Sequence, residues 1–292
     1  MTAKPVFLLG FGAMKAGTTW LYRYLRDNEL VSFGPSKEMH AWTMYFDPSR
    51  SRISLRLGNA LKGYVCADAR RAGVARAELL REVKLTSFGL DPSSYLRLFQ
   101  QLAASHSRPV ADITPDYSRL HPQQVSSIRD FLEPHFELRP LFLMRDPVDR
   151  LFSDCKHVAR HHSTGSSSDT VVTGVSLFRA KLDRRDRLPG GLKSNYKHVC
   201  EMLDAAFGDQ KSLYLFYEDL FCSESIRRVT DFIAVPFVEP DPRVRFNADP
   251  EQICLAPELM REAVQMLLPV YRFVEARFGS LPRRWQENLS LL

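Results

Sequence analysis

The chain has 292 residues, 45% of them hydrophobic, and a net charge of +6. This composition excludes a disordered chain, and the longest early apolar run, residues 6–9, is too short for a signal peptide or a membrane span. We therefore expect a cytoplasmic protein. The basic excess suits a nucleotide or an anionic glycan as partner, whereas the signatures of nucleic-acid recognition modules are missing. The five scattered cysteines form no CxxC pair and predict no metal site.

Short apolar segments alternate along the chain with segments of helical periodicity. Strands are predicted at residues 6–10, 110–113, 141–144 and 213–217. One helix is predicted after the strand at 6–10 and another after the strand at 141–144. Further helices are predicted at 94–104, 123–132 and 225–234, and a last helix is predicted to end at Gly279. This alternation predicts a single α/β domain over residues 1–292, with a central, mainly parallel sheet flanked by helices. Ligands of such sheets bind beyond the carboxyl ends of the strands.

A glycine loop follows the first predicted strand. Residues 12–19 read GAMKAGTT and have the glycine spacing of a phosphate-binding loop that precedes a helix. Small residues let backbone N–H groups turn toward an anion, and the helix presents its positive end. The lysine that follows the second glycine of a nucleoside-triphosphate loop is replaced by Thr18. The loop lysine is Lys15 instead, at the apex, where it could reach the bridging oxygen of a shorter donor.

Two segments resemble the nucleotide motifs of the sulfotransferase superfamily. Residues 15–21, KAGTTWL, resemble the 5′-phosphosulfate loop, and residues 145–153, RDPVDRLFS, resemble the 3′-phosphate motif R-[DN]-P-x-x-R-x-x-S. The resemblance covers about residues 7–278. It implies a P-loop-NTPase-like sulfotransferase fold. It also implies 3′-phosphoadenosine 5′-phosphosulfate (PAPS) as sulfuryl donor, 3′,5′-adenosine bisphosphate (PAP) as product, and no metal requirement.

The same resemblance assigns the nucleotide-binding residues. The 5′-phosphosulfate would be held by Lys15, Ala16, Gly17, Thr18 and Thr19. Arg145, whose planar fork suits a phosphate, and Ser153 would hold the 3′-phosphate. Trp20 would contact the adenine or, alternatively, pack in the core. Tyr196, in a segment similar to the later G-x-Y-x-x-x-L stretch of the family, would reach nucleotide or acceptor or pack in the core.

A third segment carries the predicted catalytic residues. Residues 37–42, KEMHAW, resemble the K-E-x-H-[FY]-[FW] segment of the Golgi and carbohydrate sulfotransferases, including the heparan sulfate-type enzymes. This implies Glu38 as general base and Lys37 as a second cation near the transferred group. His40 is the reserve base, as in the cytosolic steroid and phenol branch. The alternative is a solvated Lys–Glu pair in a polar loop. No N-terminal anchor is visible, which favours a bacterial version.

Several other segments have predicted places. Residues 114–117, TPDY, resemble an element that lines the acceptor cleft, and residues 217–220, YEDL, resemble a structural element of the superfamily. Residues 163–170 predict a loop, and residues 243–247 are the nearest counterpart of the Golgi enzymes' lid. His157, His161 and His162 have ligand-like spacing, but no further ligand completes a site, so exposed histidines at a loop edge are expected.

The sequence thus predicts an enzyme that transfers a sulfuryl group in line from PAPS to an acceptor hydroxyl on a sugar or a hydroxylated natural product. One alternative is a P-loop nucleotide or small-molecule kinase, which would need Mg²⁺, ATP and a lysine in place of Thr18. The other is a non-catalytic PAPS- or nucleotide-binding protein. The expected partner is a small-molecule or glycan acceptor, and the sequence carries no signal of oligomeric state.

Overall fold

In the part of the chain that the structure describes, five parallel strands form one sheet. The computed structural model describes residues 3–49, 53–162, 167–184, 187–241 and 255–292. The strands are β1 Val6–Gly10, β2 Ser32–Phe33, β3 Val110–Ile113, β4 Glu137–Met144 and β5 Leu213–Phe216, in the order β2-β3-β1-β4-β5. The predicted α/β class with a parallel sheet is confirmed. The two-residue strand β2 was not predicted, because it is too short to show a period.

The central strands are largely apolar because both faces of the sheet are covered; the polar exceptions are Asp112 in β3 and the first residues of β4. In β1 the residues from Phe7 to Gly10 are all buried, and so is every residue of β3. A strand that is buried on both faces reads as a continuous apolar run without polar alternation. The segments predicted as strands at 6–10 and 141–144 have this pattern, and the one at 110–113 departs from it only at Asp112.

Twelve helices are present in the described ranges and surround the sheet. Helices at the positions of α1, α5, α6, α7, α10 and α11 were predicted, and α11 ends at Gly279, whose φ of 81° is left-handed. Between β2 and β3 the chain forms α2, α3 and α4, which the sequence did not predict. Their bounds are α1 Thr18–Asp27, α2 Ala41–Phe46, α3 Ile53–Val65, α4 Ala72–Leu90, α5 Pro92–His106, α6 Pro122–Leu132, α7 Pro147–His162, α8 Ser167–Leu182, α9 Tyr196–Phe207, α10 Ser223–Phe232, α11 Pro257–Phe278 and α12 Arg283–Leu289.

Two of the predicted loop segments touch residues beyond the described ranges. The loop predicted at 163–170 is shorter than expected, because α8 begins at Ser167, and residues 163–166 lie outside the described residues. The segment at 243–247 also lies outside them. Within the described ranges, no helix has the length and apolarity required to cross a bilayer.

The topology places a crevice at the carboxyl end of β1. From β1 the chain first builds β2 and β3 on one side and then crosses to β4 and β5 on the other. Such a switch point is where parallel α/β sheets bind ligands. The segment after β1 is held against β4 by backbone hydrogen bonds, from Ala13 N to Leu143 O at 2.7 Å and from Leu143 N to Gly12 O at 2.8 Å. The sheet therefore fixes the start of the glycine loop at the crevice.

Candidate active site

A cavity of about 260 Å³ lies at this crevice and collects most of the predicted site residues. It is bordered by the glycine loop, the segment that contains Glu38, the end of β4 with α7, and the segment after β5. Its lining residues are Met14, Lys15, Gly17, Thr18, Thr19, Trp20, Lys37, Glu38, Pro115, Arg145, Ser153, His157, Arg160, Tyr217 and Phe221. Three predicted residues do not line it: Ala16, His40 and Tyr196.

The glycine loop leads directly into α1 at the cavity wall. Lys15 and Gly17 have positive φ values of 69° and 90°, which turn the loop back on itself. The side chain of Ala16 is buried, and its N–H donates to Ala13 O at 3.2 Å, within the loop. Thr18 and Thr19 begin α1 and line the cavity. The first N–H groups of a helix have no intrahelical acceptor, so this wall presents donors and a positive dipole end to an anion.

The segment after β5 supports the loop from behind. A Cβ atom on Gly17 would lie 2.6 Å from Leu220 Cδ2 and 3.0 Å from Tyr217 Cδ2, so only glycine fits there. The YEDL segment therefore has the structural role predicted for it. Tyr217 also lines the cavity, which the sequence analysis did not predict.

Substitution of Gly17 is expected to damage both stability and the site. Gly17→Ala places a methyl group against Leu220 at a left-handed φ, and strain of this kind costs about 1–3 kcal/mol. Chemical denaturation should show this loss. Gly63→Ala is the matched control, because Gly63 lies exposed in α3 with nothing within 4 Å of an added Cβ. The control should gain up to about 1 kcal/mol through helix propensity. Equal stability of both variants would contradict this account of the loop.

Arg145 is held at the end of β4 by three contacts. Its Nη1 donates to Lys15 O at 3.1 Å, and its guanidinium lies 4.5 Å from the centre of the Tyr217 ring. The hydroxyl of Tyr196 donates to Arg145 O at 2.6 Å. Tyr196 itself is fully buried, beside Phe142 and Trp285. Of the two alternatives predicted for Tyr196, the structure thus shows the core position, from which its hydroxyl holds the backbone of Arg145.

One face of α7 lines the cavity through Ser153, His157 and Arg160. Their spacings of four and three residues put them on the same side of the helix. The prediction of exposed histidines at a loop edge is wrong for His157, which is half-buried in α7. The side chains of His161 and His162 lie outside the described ones. The sequence analysis missed both His157 and Arg160, although the helical period counted from Ser153 passes through them.

An aromatic wall closes another side of the cavity. Trp20 is only 4% exposed, stacks on Tyr24 with 5.5 Å between ring centres, and meets the edge of Phe221 at 5.1 Å. Tyr217 contacts Phe221 at the same 5.1 Å. Trp20 is therefore a core residue whose exposed edge faces the cavity. The core position predicted as one alternative is confirmed, and contact with the adenine stays a prediction.

The cavity concentrates positive charge. The pKa of Lys15 is lowered, first by burial and then by the charge of Arg160, with smaller effects from Arg145 and Lys37, and Asp154 opposes the shift. Glu38 is the one carboxylate among the described lining residues. In the part of the chain that the structure describes, no three His, Cys, Asp or Glu side chains are grouped as metal ligands. The arrangement suits a compact polyanion.

Glu38 lies between Lys37 and His40. Lys37 Nζ is 2.5 Å from Glu38 Oε1, and His40 Nε2 is 3.3 Å from Oε2. Burial alone would raise the pKa of Glu38, but the hydrogen bonds and charges of His40 and Lys37 outweigh it and lower the pKa to about 2. His40 contacts the carboxylate from behind the cavity wall. Glu38 is thus a partly buried member of an ion-paired cluster, unlike the solvated Lys–Glu pair of the alternative interpretation.

The lowered pKa predicts how Glu38 affects stability at different pH values. Its folded-state pKa lies below the ordinary value of 4.5, so its contribution is present above pH 4.5 and is lost as the pH falls toward 2. The stability of the wild type relative to Glu38→Gln should therefore be constant near neutral pH and decline below about pH 4.5. Denaturation curves between pH 2.5 and 7 measure it, with the exposed Glu29→Gln as control. A difference that grows on acidification would contradict the assigned ion pairs.

Comparison with known proteins identifies the fold. No protein-family model and no curated protein matches the chain. Among solved structures, the sulfotransferase from Alicyclobacillus acidocaldarius superposes with a TM-score of 0.62 and 20% identity, over 98% of this chain and 100% of that one. The sulfotransferase domain from the curacin biosynthetic pathway gives a TM-score of 0.43 and 15% identity, over 81% of this chain and 76% of that one. The chain has the sulfotransferase fold, as the two nucleotide motifs predicted, and the Golgi-type branch stays a prediction.

Proposed function

We propose that this protein is a sulfotransferase that uses PAPS as donor. One observation carries the proposal. A single cavity joins the glycine loop with Lys15 to Arg145 and Ser153, a cation and a hydroxyl of the kind that a second anion requires. A donor with a 5′-phosphosulfate and a separate 3′-phosphate needs two such positions, whereas ATP carries no 3′-phosphate. The likeness in fold to a sulfotransferase supports the same conclusion.

The lining residues suggest how the donor is held. The amides and hydroxyls of Thr18 and Thr19, at the start of α1, receive the 5′-phosphate, and Arg145 with Ser153 receives the 3′-phosphate. Trp20, Tyr217 and Phe221 provide an aromatic wall for the adenine. The Arg145 guanidinium also bonds Lys15 O. The two phosphate positions are thereby coupled through one side chain.

The reaction we propose is an in-line displacement at sulfur. Glu38 takes the proton of the acceptor hydroxyl, the acceptor oxygen forms a bond to sulfur, and the bond from sulfur to the bridging oxygen breaks. PAP leaves with the electron pair of that bond, and Lys15 hydrogen-bonds the bridging oxygen as its charge grows. Because His40 and Lys37 lower the pKa of Glu38 to about 2, the carboxylate is a weak base while Lys37 is bound to it. Movement of Lys37 toward the sulfuryl oxygens would raise its basicity.

The remaining lining residues define the acceptor end. Met14 and Pro115 provide apolar surface, and His157 and Arg160 provide polar groups in the same cavity as Glu38 and Lys37. Of the segment predicted to line the acceptor cleft, residues 114–117, Pro115 lines the cavity, whereas Thr114 and Tyr117 are buried. We place here the hydroxyl of a sugar or of a hydroxylated natural product. The basic lining favours an acceptor that carries negative charge.

Transfer of ³⁵S from labelled PAPS to a panel of hydroxylated acceptors tests the proposal. With EDTA present, we expect labelled product and PAP in equal amounts, and a loss of at least about 100-fold in Glu38→Gln, as for removal of a general base. Glu29→Gln, an exposed carboxylate whose side chain is 81% accessible, is the matched control. Transfer of the γ-phosphate of Mg-ATP would instead identify a kinase. PAPS binding without transfer, unaffected by Glu38→Gln, would identify a non-catalytic binding protein.

A further inference from the structure

A buried carboxylate lies behind the segment that carries Glu38. Asp112, near the end of β3, is 1% exposed. Three hydroxyl groups donate to it: Thr114 Oγ1 to Oδ1 at 2.6 Å, Tyr117 to Oδ2 at 2.7 Å and Tyr95 to Oδ2 at 2.9 Å. None of the described cations forms an ion pair with it. Its burial raises the pKa of Asp112, and the hydroxyl groups of Thr114, Tyr117 and Tyr95 oppose that rise.

The hydrogen bonds of Asp112 fix the direction of the Thr114 hydroxyl. An ionised carboxylate can only accept, so the single hydrogen of Thr114 points to Asp112 and its lone pairs face the other way. These lone pairs accept from Met39 N at 3.0 Å and from His40 N at 3.4 Å. The chain of bonds thus runs from a core carboxylate to two consecutive amides of the catalytic segment.

These two amides set the geometry around Glu38. Met39 N follows Glu38 directly, and His40 has a φ of 54°, a left-handed conformation that is costly for a residue with a side chain. In that conformation the imidazole of His40 lies against Glu38, with Nε2 3.3 Å from Oε2. The Thr114 hydroxyl is the acceptor for the amides of Met39 and His40 in this network. Its hydrogen bonds therefore help to stabilise the left-handed conformation of His40.

We infer that Asp112 is a positioning residue for the proposed sulfuryl transfer: it orients the Thr114 hydroxyl, which holds the backbone at Met39 and His40 and thereby the carboxylate of Glu38. Asp112 does not line the cavity and touches no substrate. The inference rests on the proposed function, since it takes Glu38 as the base. A purely structural role for Asp112 would leave the Glu38–His40 pair unchanged once the variant has folded.

The test uses the full chain labelled with ¹⁵N-histidine, with the His40 signals assigned by their loss in His40→Gln. Asp112→Asn replaces one acceptor oxygen by an NH₂ group, which donates where the hydroxyls need an acceptor. Thr114→Val removes the hydroxyl that links Asp112 to the amides of Met39 and His40 and keeps the shape of the side chain. We expect the amide and ring ¹⁵N signals of His40 to move in both variants and in Glu38→Gln. They should keep their wild-type positions in Thr114→Ser. The exposed Asp209→Asn is the control for loss of a carboxylate.

The functional readouts separate positioning from binding. In Asp112→Asn and Thr114→Val the turnover of PAPS should fall at least about tenfold, while the dissociation constant of PAP stays within about threefold. Thr114→Val keeps the test decisive if Asp112→Asn does not fold. Unchanged His40 signals in the folded variants, or an equal loss of PAP affinity and turnover, would overturn the inference. Failure of PAP to bind the wild type would overturn the proposed donor instead and leave the His40 spectra as the test of the network.

Discussion

Replacement of Lys15 by alanine is expected to lower the turnover of PAPS by about 100- to 1,000-fold while changing the dissociation constant of PAP by less than about tenfold. Lys15 lies at the apex of the glycine loop and lines the cavity beside Arg145 and Lys37. In the proposed reaction its hydrogen bond strengthens as the bridging oxygen gains charge, so its main contribution is to the transition state. Steady-state kinetics and calorimetric titration with PAP measure the two effects.

The control for Lys15→Ala is Lys197→Ala, which removes an equally charged side chain from the exposed surface of α9, where it is 62% accessible. It should change neither quantity. If Lys15→Ala weakened PAP binding as much as it slowed turnover, Lys15 would be a ground-state binding residue. The proposed contact with the bridging oxygen would then be wrong.

Replacement of Arg145 by methionine is expected to weaken PAP binding by at least about 100-fold and 5′-AMP binding by less than about fivefold, the loss expected for a charged bidentate contact. Arg145 is held over the Tyr217 ring and against Lys15 O, so its fork is in place before a ligand arrives. PAP and 5′-AMP differ only in the 3′-phosphate, so the difference between their losses of affinity measures the contact of Arg145 with that group. Competition titrations with PAP and 5′-AMP on each variant measure it.

Two further variants sharpen this result. Arg145→Lys keeps the charge but not the planar fork, and its affinity for PAP should fall between those of wild type and Arg145→Met. Arg283→Met removes an arginine whose side chain is 93% exposed in α12 and should have no effect. Equal losses for PAP and 5′-AMP in Arg145→Met would place the 3′-phosphate elsewhere.

The parts of the site that the sequence predicted are those encoded within short segments. The glycine loop, its helix and the strand before it are consecutive in the chain, and Arg145 and Ser153 lie eight residues apart across one strand–helix junction. Local backbone geometry sets the relative positions of residues this close in the chain, so their spacing could be interpreted without knowing the tertiary structure. The parallel sheet followed from the alternation of short strands with helices along the chain.

The parts that were missed depend on contacts between distant segments. The helical period places His157 and Arg160 on the face of α7 that carries Ser153, but that this face lines the cavity depends on how α7 packs against the sheet. For Tyr196 the sequence left a nucleotide or acceptor contact and a core position open; α9 packs so that its ring enters the core and its hydroxyl bonds the backbone of Arg145, 51 residues earlier. The link from Thr114 to Met39 joins residues 75 positions apart. Short helices such as α2 carry too few residues for a period to be visible.

The most direct test of the donor site is calorimetric titration of the metal-free wild-type protein with PAP, with 5′-AMP, and with ATP in the presence of Mg²⁺. The account predicts binding of one PAP per chain without metal, and binding of 5′-AMP weaker by at least about 100-fold, because the contacts of Arg145 and Ser153 are then unused. Equal affinity for PAP and 5′-AMP, or binding of Mg-ATP in preference to PAP, would contradict the assignment of the cavity as a PAPS site.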